Sequence, residues 1–298
     1  MFKSLQLELT SLCNLRCPLC YTSSPQSKRL PPFFPLSELK RLFTTLPKEV
    51  QTVNLYGKVG EPLLHGEIVA IVHWAHQQFP EANLRMSTNG TLLRDYIARG
   101  LAASPLNTLF VAVDGATKKT YGKYRIGGDF KQVRKNIKVF NRMKRAAGKK
   151  TPRTFLQFIP MAHNISETKN IVQMARDLGC QGVRIKVSGS VERNKKFAAG
   201  VDVMKQVREK LDEPGWIVES KTIREGLCQF DELYVDTKGD IYPCCHAAAV
   251  YKLSFGNYQE NWWANLHEWQ VAKRHSSPIC QSKCGSKKNK ELLTIKFK

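Results

Sequence analysis

"TSLCNLRCPLCYTSS", residues 10–24, sets Cys13, Cys17 and Cys20 inside eight residues, beside one Arg and with no His or acidic residue. Three thiolates this close can occupy three corners of a compact metal site, and soft sulfur selects zinc or an iron–sulfur cluster. A closed zinc site needs a fourth Cys or His close by. The nearest downstream His is His65, on a different element, and C-x3-C-x2-C is not a usual zinc knuckle. The fourth corner is left without an obvious protein ligand.

Around this loop the chain alternates short β-rich runs with helical patterns from residue 5 to about 189: "LQLELT", "LSELKRLFTTL", "TVNLYG", "GEIVAIVHWAHQQF", "NLRMSTNG", "LRDYIARGLAA", "NTLFVAVDG", "FKQVRKNIKVFNRMKRA", "RTFLQFIPM", "ETKNIVQMARDLG" and "GVRIKVSG". Six strand–helix alternations imply an α/β fold with a parallel sheet or barrel. Gly-, Asn- and Asp-rich turns follow several strands, at the carboxyl edge where α/β folds place their sites. Past residue 200 the rhythm changes to one helix-like run, "DVMKQVREKLDE", then a Cys-bearing hairpin pattern and a Trp-rich segment. The expected domains are therefore 1–200 and 201–298.

The 298 residues are 42% hydrophobic and 24% charged, ordinary for a globular protein, which argues against disorder and fibrous repeats. No run reaches the roughly 18 apolar residues of a membrane span, and the N-terminus lacks the apolar segment of a secretion signal. A cytoplasmic location follows, where nine cysteines stay reduced and serve metal binding or catalysis rather than disulfides. A formal charge of +22 would attract an anionic partner. The basic cluster at 142–153 carries no aromatic and that at 283–298 only Phe297, too few to interleave as a platform for stacking bases, so they read as solvated helix ends and a tail.

Cys228, Cys244, Cys245, Cys280 and Cys284 form a second cluster, spaced C-x10-G-x4-C-C and then C-x3-C. Four thiolates complete either tetrahedral zinc or a fully ligated 4Fe-4S cluster. Adjacent side chains on a strand point to opposite faces, so Cys244 and Cys245 do not both join one site. Cys180 reads as core.

"CNLRCPLC" after the first strand resembles the cluster loop of radical S-adenosylmethionine (SAM) enzymes. The resemblance implies a partial (β/α)6 barrel in which Cys13, Cys17 and Cys20 hold a 4Fe-4S cluster whose fourth iron is left for SAM. One electron would then cleave SAM to methionine and a 5′-deoxyadenosyl radical. "YGKVGEPLLH" (56–65) is similar to the Gly-Gly-Glu-Pro motif, so Gly60, Glu61 and Pro62 would meet the SAM amino group, with Lys58 where many members have Gly. "STNGTLL" (87–93) resembles the ribose motif and nominates Ser87, Thr88 and Asn89. "VAVDGATKKTYGKYRIGGDF" (111–130) resembles the Ser-x-Asp-Gly segment, with Asp114 and an Arg, Arg125, for the SAM carboxylate; Ala112 replaces the family's Ser. Each stretch alone is an ordinary turn signal. Their order after successive strands is what makes the resemblance.

The C-terminal cluster resembles the SPASM extension or its shortened Twitch form. Only C-x3-C of the full C-x2-C-x5-C-x3-C run is present, which implies one auxiliary 4Fe-4S cluster on Cys228, Cys244, Cys280 and Cys284. Cys245 is then either a packing residue or a hydrogen-atom donor, as in related peptide epimerases.

Alternation pairs Gln157 with Ile159, and Arg184 with Lys186; those that face inward would contact cofactor or substrate. His163 and Asn164 follow the fifth strand. The resemblance implies an enzyme that abstracts hydrogen from an unactivated C–H bond, by epimerisation or cross-linking of a ribosomally made peptide. A Twitch-type carbinol dehydrogenase acting on a sugar or aminocyclitol is the alternative. No precursor-recognition segment precedes the first strand, so a separate recognition protein would serve the first reading. Flavodoxin or ferredoxin would supply the electron. A zinc-stabilised basic nucleic-acid-binding protein is a third class, against which the ordered strand-end motifs argue.

Overall fold

The computed structural model describes residues 2–23, 30–192, 194–200, 202–211, 216–223, 232–242, 254–260, 262, 264–265 and 290–297. Strands and helices alternate as the hydrophobic pattern predicts: β1 (Ser4–Leu7), α1 (Leu36–Thr45), β2 (Thr52–Asn54), α2 (Ile68–Gln78), β3 (Asn83–Thr88), α3 (Asp95–Ala103), β4 (Thr108–Ala112), α4 (Lys118–Tyr124), α5 (Phe130–Ala146), β5 (Arg153–Phe158), α6 (Thr168–Asp177) and β6 (Gly182–Lys186). Then come α7 (Gly189–Glu192), α8 (Val203–Lys210), β7 (Trp216–Ile223), β8 (Glu232–Val235), β9 (Asp240–Tyr242), β10 (Gly256–Asn257) and β11 (Lys290–Phe297). The strands pair mostly in parallel. No helix among the described residues is long and apolar enough to cross a membrane.

Two compact units are formed, Met1–Cys13, Ser24–Met86 and Arg224–Asn289 in the first, Asn14–Ser23, Ser87–Ile223 and Lys290–Lys298 in the second. In the first, strands run in the order β10-β9-β8-β1-β2-β3. β8, β1, β2 and β3 are parallel, with Gln6 opposite Asn54 and Tyr234, while β9 and β10 close the edge antiparallel. Leu5, Leu7 and Leu9 bury one face of the first strand and its extension, and the polar Gln6, Glu8 and Thr10 are buried on the other. A parallel sheet covered on both faces allows this. α1 contributes Leu39, Leu42 and Phe43 to the core, and α2 Ile68, Ile71, Val72 and Ala75, at the spacing of an amphipathic helix.

The second unit has the order β4-β5-β6-β11-β7, parallel from β4 to β6 and antiparallel beyond. Leu109, Val111, Val113, Leu156, Phe158, Val183 and Ile185 are fully buried, and α6 packs on β5 and β6. Ala112, Gln157 and Arg184 are in register on the alternate positions. Asp129 caps α5 by accepting from Lys131 N–H and Gln132 N–H, and Val133, Ile137 and Phe140 make that helix's apolar stripe.

Candidate functional site

Thr10 turns the chain out of β1 toward Cys13. Its Oγ1 donates to the Pro32 carbonyl at 2.6 Å and accepts Leu12 N–H at 3.1 Å. Gly60, at φ 79°, lies where a Cβ would overlap the Thr10 carbonyl, and Glu61 N–H donates to the Leu12 carbonyl at 2.7 Å. The segment leading to Cys13 therefore rests on the Gly60–Glu61–Pro62 turn. Glu61 is buried and caps the short 3₁₀ turn Pro62–Leu64, its Oε1 accepting Leu63 N–H at 3.1 Å. His65 is occupied too: Nδ1 accepts Glu67 N–H at 3.2 Å, so Nε2 carries the proton and donates to the Phe34 carbonyl at 2.9 Å.

Sequence reasoning missed Glu8. It is fully buried, its Oε1 accepts Val59 N–H at 2.9 Å, and its Oε2 has no hydrogen-bond partner among the described residues. Burial pushes its carboxyl well above the usual range; the Val59 N–H opposes this and the Asp236 carboxylate adds to it. The available signal was an acid between Gln6 and Thr10 on one face of a buried strand.

In the second unit Asn14 and Asn89 brace the rest of the cysteine loop. Asn89 Nδ2 donates to Asn14 Oδ1 at 2.9 Å, Asn14 Nδ2 donates to Thr91 Oγ1 at 2.8 Å, and Thr91 Oγ1 donates back to Asn89 Oδ1 at 2.7 Å. Thr88, buried one residue before, accepts Gly90 N–H at 3.0 Å, and Asn136 of α5 donates to the carbonyls of Gly90 and Thr91. Ser87 is half-buried. Arg16 N–H donates to the Ile126 carbonyl at 2.9 Å, and Cys20 N–H to the Cys17 carbonyl at 3.1 Å.

Arg125 reaches the same loop. Its Nε donates to Asp114 Oδ2 at 2.7 Å, Nη2 lies 2.6 Å from that oxygen, and Nη1 is 3.8 Å from Cys17 Sγ. Burial is the strongest single influence and disfavours the charged guanidinium, yet the Asp114 carboxylate, with Cys17 and Tyr124 adding to it, holds Arg125 protonated above its ordinary range. Burial pushes the Cys17 thiol up while Arg125 pulls it down. Asp114 is fully buried, its Oδ1 accepting Ile159 N–H at 2.8 Å. Asn164, also fully buried, donates to the Asp114 and Ile159 carbonyls, each at 3.1 Å.

Gln157 and Arg184 stand on the face opposite the fully buried Leu156 and Val183, so they line the other side of the wall. The Arg184 guanidinium lies 4.4 Å from the Phe110 ring centroid, a cation–π contact. Lys186 is exposed. His163 packs edge-on against Phe197 at 5.9 Å, and burial lowers its pKa, with Lys123 adding to the shift. Cys180 is core as expected, its thiol pushed up to about 12 by burial. Cys228, Cys244, Cys245, Cys280 and Cys284 lie outside the described residues.

Among the described residues no three His, Cys, Asp or Glu side chains stand close enough to share one metal ion. Three loop thiols without a carboxylate or imidazole suit a polynuclear iron–sulfur group better than a single hard cation.

Comparison with known families decides between these chemistries: residues 7–151 match the profile of the Radical SAM superfamily. The chain carries a radical SAM superfamily domain. Such a domain implies SAM and a 4Fe-4S cluster as cofactors. The chain is 22% identical over 316 aligned positions to the tungsten-containing aldehyde ferredoxin oxidoreductase cofactor-modifying protein of Pyrococcus furiosus, across 93% of this chain and 86% of that one. Its fold is similar to that of SuiB from Streptococcus suis, solved bound to precursor peptide SuiA, with a TM-score of 0.69 and 14% identity. That match covers 95% of this chain and 66% of SuiB, so the chain spans just under two thirds of SuiB's length. BtrN, solved in complex with AdoMet and 2-DOIA, matches with a TM-score of 0.55 and 15% identity over 94% of this chain and 87% of BtrN.

Proposed function

We propose that this radical SAM enzyme abstracts a hydrogen atom from an unactivated C–H bond of a ribosomally made peptide. In this reading residues 1–200 are a partial (β/α)6 barrel core and 201–298 a SPASM/Twitch-type domain. Cys13, Cys17 and Cys20 would hold the catalytic 4Fe-4S cluster, and Cys228, Cys244, Cys280 and Cys284 an auxiliary one. When bound, the catalytic cluster and SAM would supply a 5′-deoxyadenosyl radical. Gly60, Glu61 and Pro62 would meet the SAM amino group, Ser87, Thr88 and Asn89 its ribose, and Asp114, Arg125 and Gln157 would complete the cofactor pocket. Flavodoxin or ferredoxin would supply the electron, and a separate protein would recognise the precursor.

The observation that carries this reading is that Asn89 and Arg125, both nominated for SAM, reach the cysteine loop at Asn14 and Cys17. Strand-end groups thus brace the loop. The fold likeness to SuiB, which was solved with a peptide bound, supports a peptide substrate. The likeness to BtrN, which matches a larger share of that chain, favours a second reading, carbinol oxidation on a sugar or aminocyclitol.

Anaerobically reconstituted protein should hold about eight irons per chain, from two four-iron clusters. Changing Cys13, Cys17 and Cys20 together to Ala should leave about four and abolish 5′-deoxyadenosine formation. Retained SAM cleavage in that variant would refute the assignment.

A further inference from the structure

Arg125 lays a fixed positive charge against one cysteine of the loop. Two of its nitrogens, Nε and Nη2, converge on the single oxygen Asp114 Oδ2 at 2.7 and 2.6 Å, which turns Nη1 toward Cys17 Sγ at 3.8 Å. Asp114 cannot follow a moving partner: it is fully buried, its Oδ1 is taken by Ile159 N–H, and its carbonyl by Asn164. The Arg125 side chain itself is 13% exposed. The fork geometry of a guanidinium makes such an aim specific, where an ammonium would act only as a point charge. An N–H donated to a ligating sulfur draws off electron density and favours the reduced cluster, so hydrogen bonds to sulfur set reduction potential.

We infer that Arg125, aimed by Asp114, is a positioning residue that donates to Cys17 Sγ and raises the reduction potential of the cluster held there. The inference rests on Cys17 being a cluster ligand, and it gives Arg125 a task separate from the SAM carboxylate.

The test uses reconstituted holoenzyme without SAM, titrated with dithionite and followed at the paramagnetic signal that Cys17→Ala removes. Arg125→Gln should shift the midpoint potential to more negative values. Arg125→Lys, which keeps the charge and loses the fork, should shift it less. Electron–nuclear double resonance in heavy water should show an exchangeable proton coupled to the cluster in the parent and weakened in both variants. If Arg125→Gln fails to retain iron, Arg125→Lys carries the test. An unmoved potential and unchanged proton coupling at full iron content overturn the inference, as does weaker SAM binding by Arg125→Gln with the potential unmoved. A Cys17→Ala protein that keeps every parental cluster signal overturns the ligand assignment and the inference together. Loss of a signal in Cys17→Ala with Arg125→Gln unmoved overturns the inference alone.

Discussion

Glu8 and Gly57 pack so closely that a methyl group at position 57 would lie 2.6 Å from Glu8 Cγ. The contact pins a buried carboxyl between β1 and the loop that carries Gly60. Glu8 Oε1 takes Val59 N–H, and Asp236, the next residue after β8, is near enough to raise it further. Burial likewise raises Asp236.

The Glu8 carboxyl makes stability pH-dependent with a defined sign. Its folded pKa is raised from the usual 4.5, so the unfolded chain releases this proton first as pH rises. Its contribution is therefore full below the unfolded value and is lost as pH climbs toward the folded one. Gln at position 8 keeps the acceptor for Val59 and has no proton to lose. Urea unfolding from about pH 5 to about pH 8 should show Glu8→Gln gaining on the parent as pH rises. A difference independent of pH would mean that Glu8 is ionised in the folded protein.

Gly60 supports a second prediction. Its φ of 79° and the Thr10 carbonyl beside it both exclude a side chain. A left-handed conformation costs a non-glycine residue about 1–2 kcal/mol, and the overlap adds to that. Gly60→Ala should lose about 2 kcal/mol or more. Gly66, with nothing within 4 Å of its would-be Cβ, is the control and should change by less than about 0.5 kcal/mol on the same substitution. Equal denaturant midpoints for the two variants would show that the Gly60 turn relaxes freely.

Asn164 is the hinge pin of the Asp114 corner. Besides donating to Asp114 and Ile159 carbonyls it accepts Met161 N–H at 2.6 Å, all without solvent. Leaving a buried polar group unpaired costs about 1–3 kcal/mol, so Asn164→Ala should destabilise the protein by about 2–4 kcal/mol. Asn164→Asp keeps the acceptor and loses both donors, and should do no better. Thermal and urea melts of the two variants check this, and parental stability in either would remove Asn164 from the corner.

The alternation of β1 through β6 was legible because each strand buries aliphatic side chains at every second position, as Leu109, Val111 and Val113 do. Which side Gln157 and Arg184 take was not, since parallel strands bury both faces and alternation alone does not label them. Asp114 and Arg125 were nominated by motif, but the sulfur they serve is 108 residues from Arg125, and no local pattern reports that contact. The motif nominates Asn89 for the ribose, and in the structure its amide nitrogen donates to Asn14. The change of rhythm past residue 200 gave no hint that β8 pairs in parallel with β1, because register across that separation depends on packing.

The reaction class is tested at Cys245, which lies outside the described residues. Redox-neutral inversion of a peptide centre needs a hydrogen-atom donor on the face opposite the abstracted hydrogen, and a thiol beside an auxiliary cluster is one such donor. Turnover in heavy water should then place one solvent deuterium at carbon in the product. Cys245→Ala should still cleave SAM and fail to complete that product. A carbinol dehydrogenase would give a product two hydrogens lighter, with no solvent deuterium at carbon and little dependence on Cys245. The net charge of +22 does not separate the two, because an acidic precursor and a phosphorylated sugar would both be drawn to it. Mass spectrometry of the product, with and without the thiol, does.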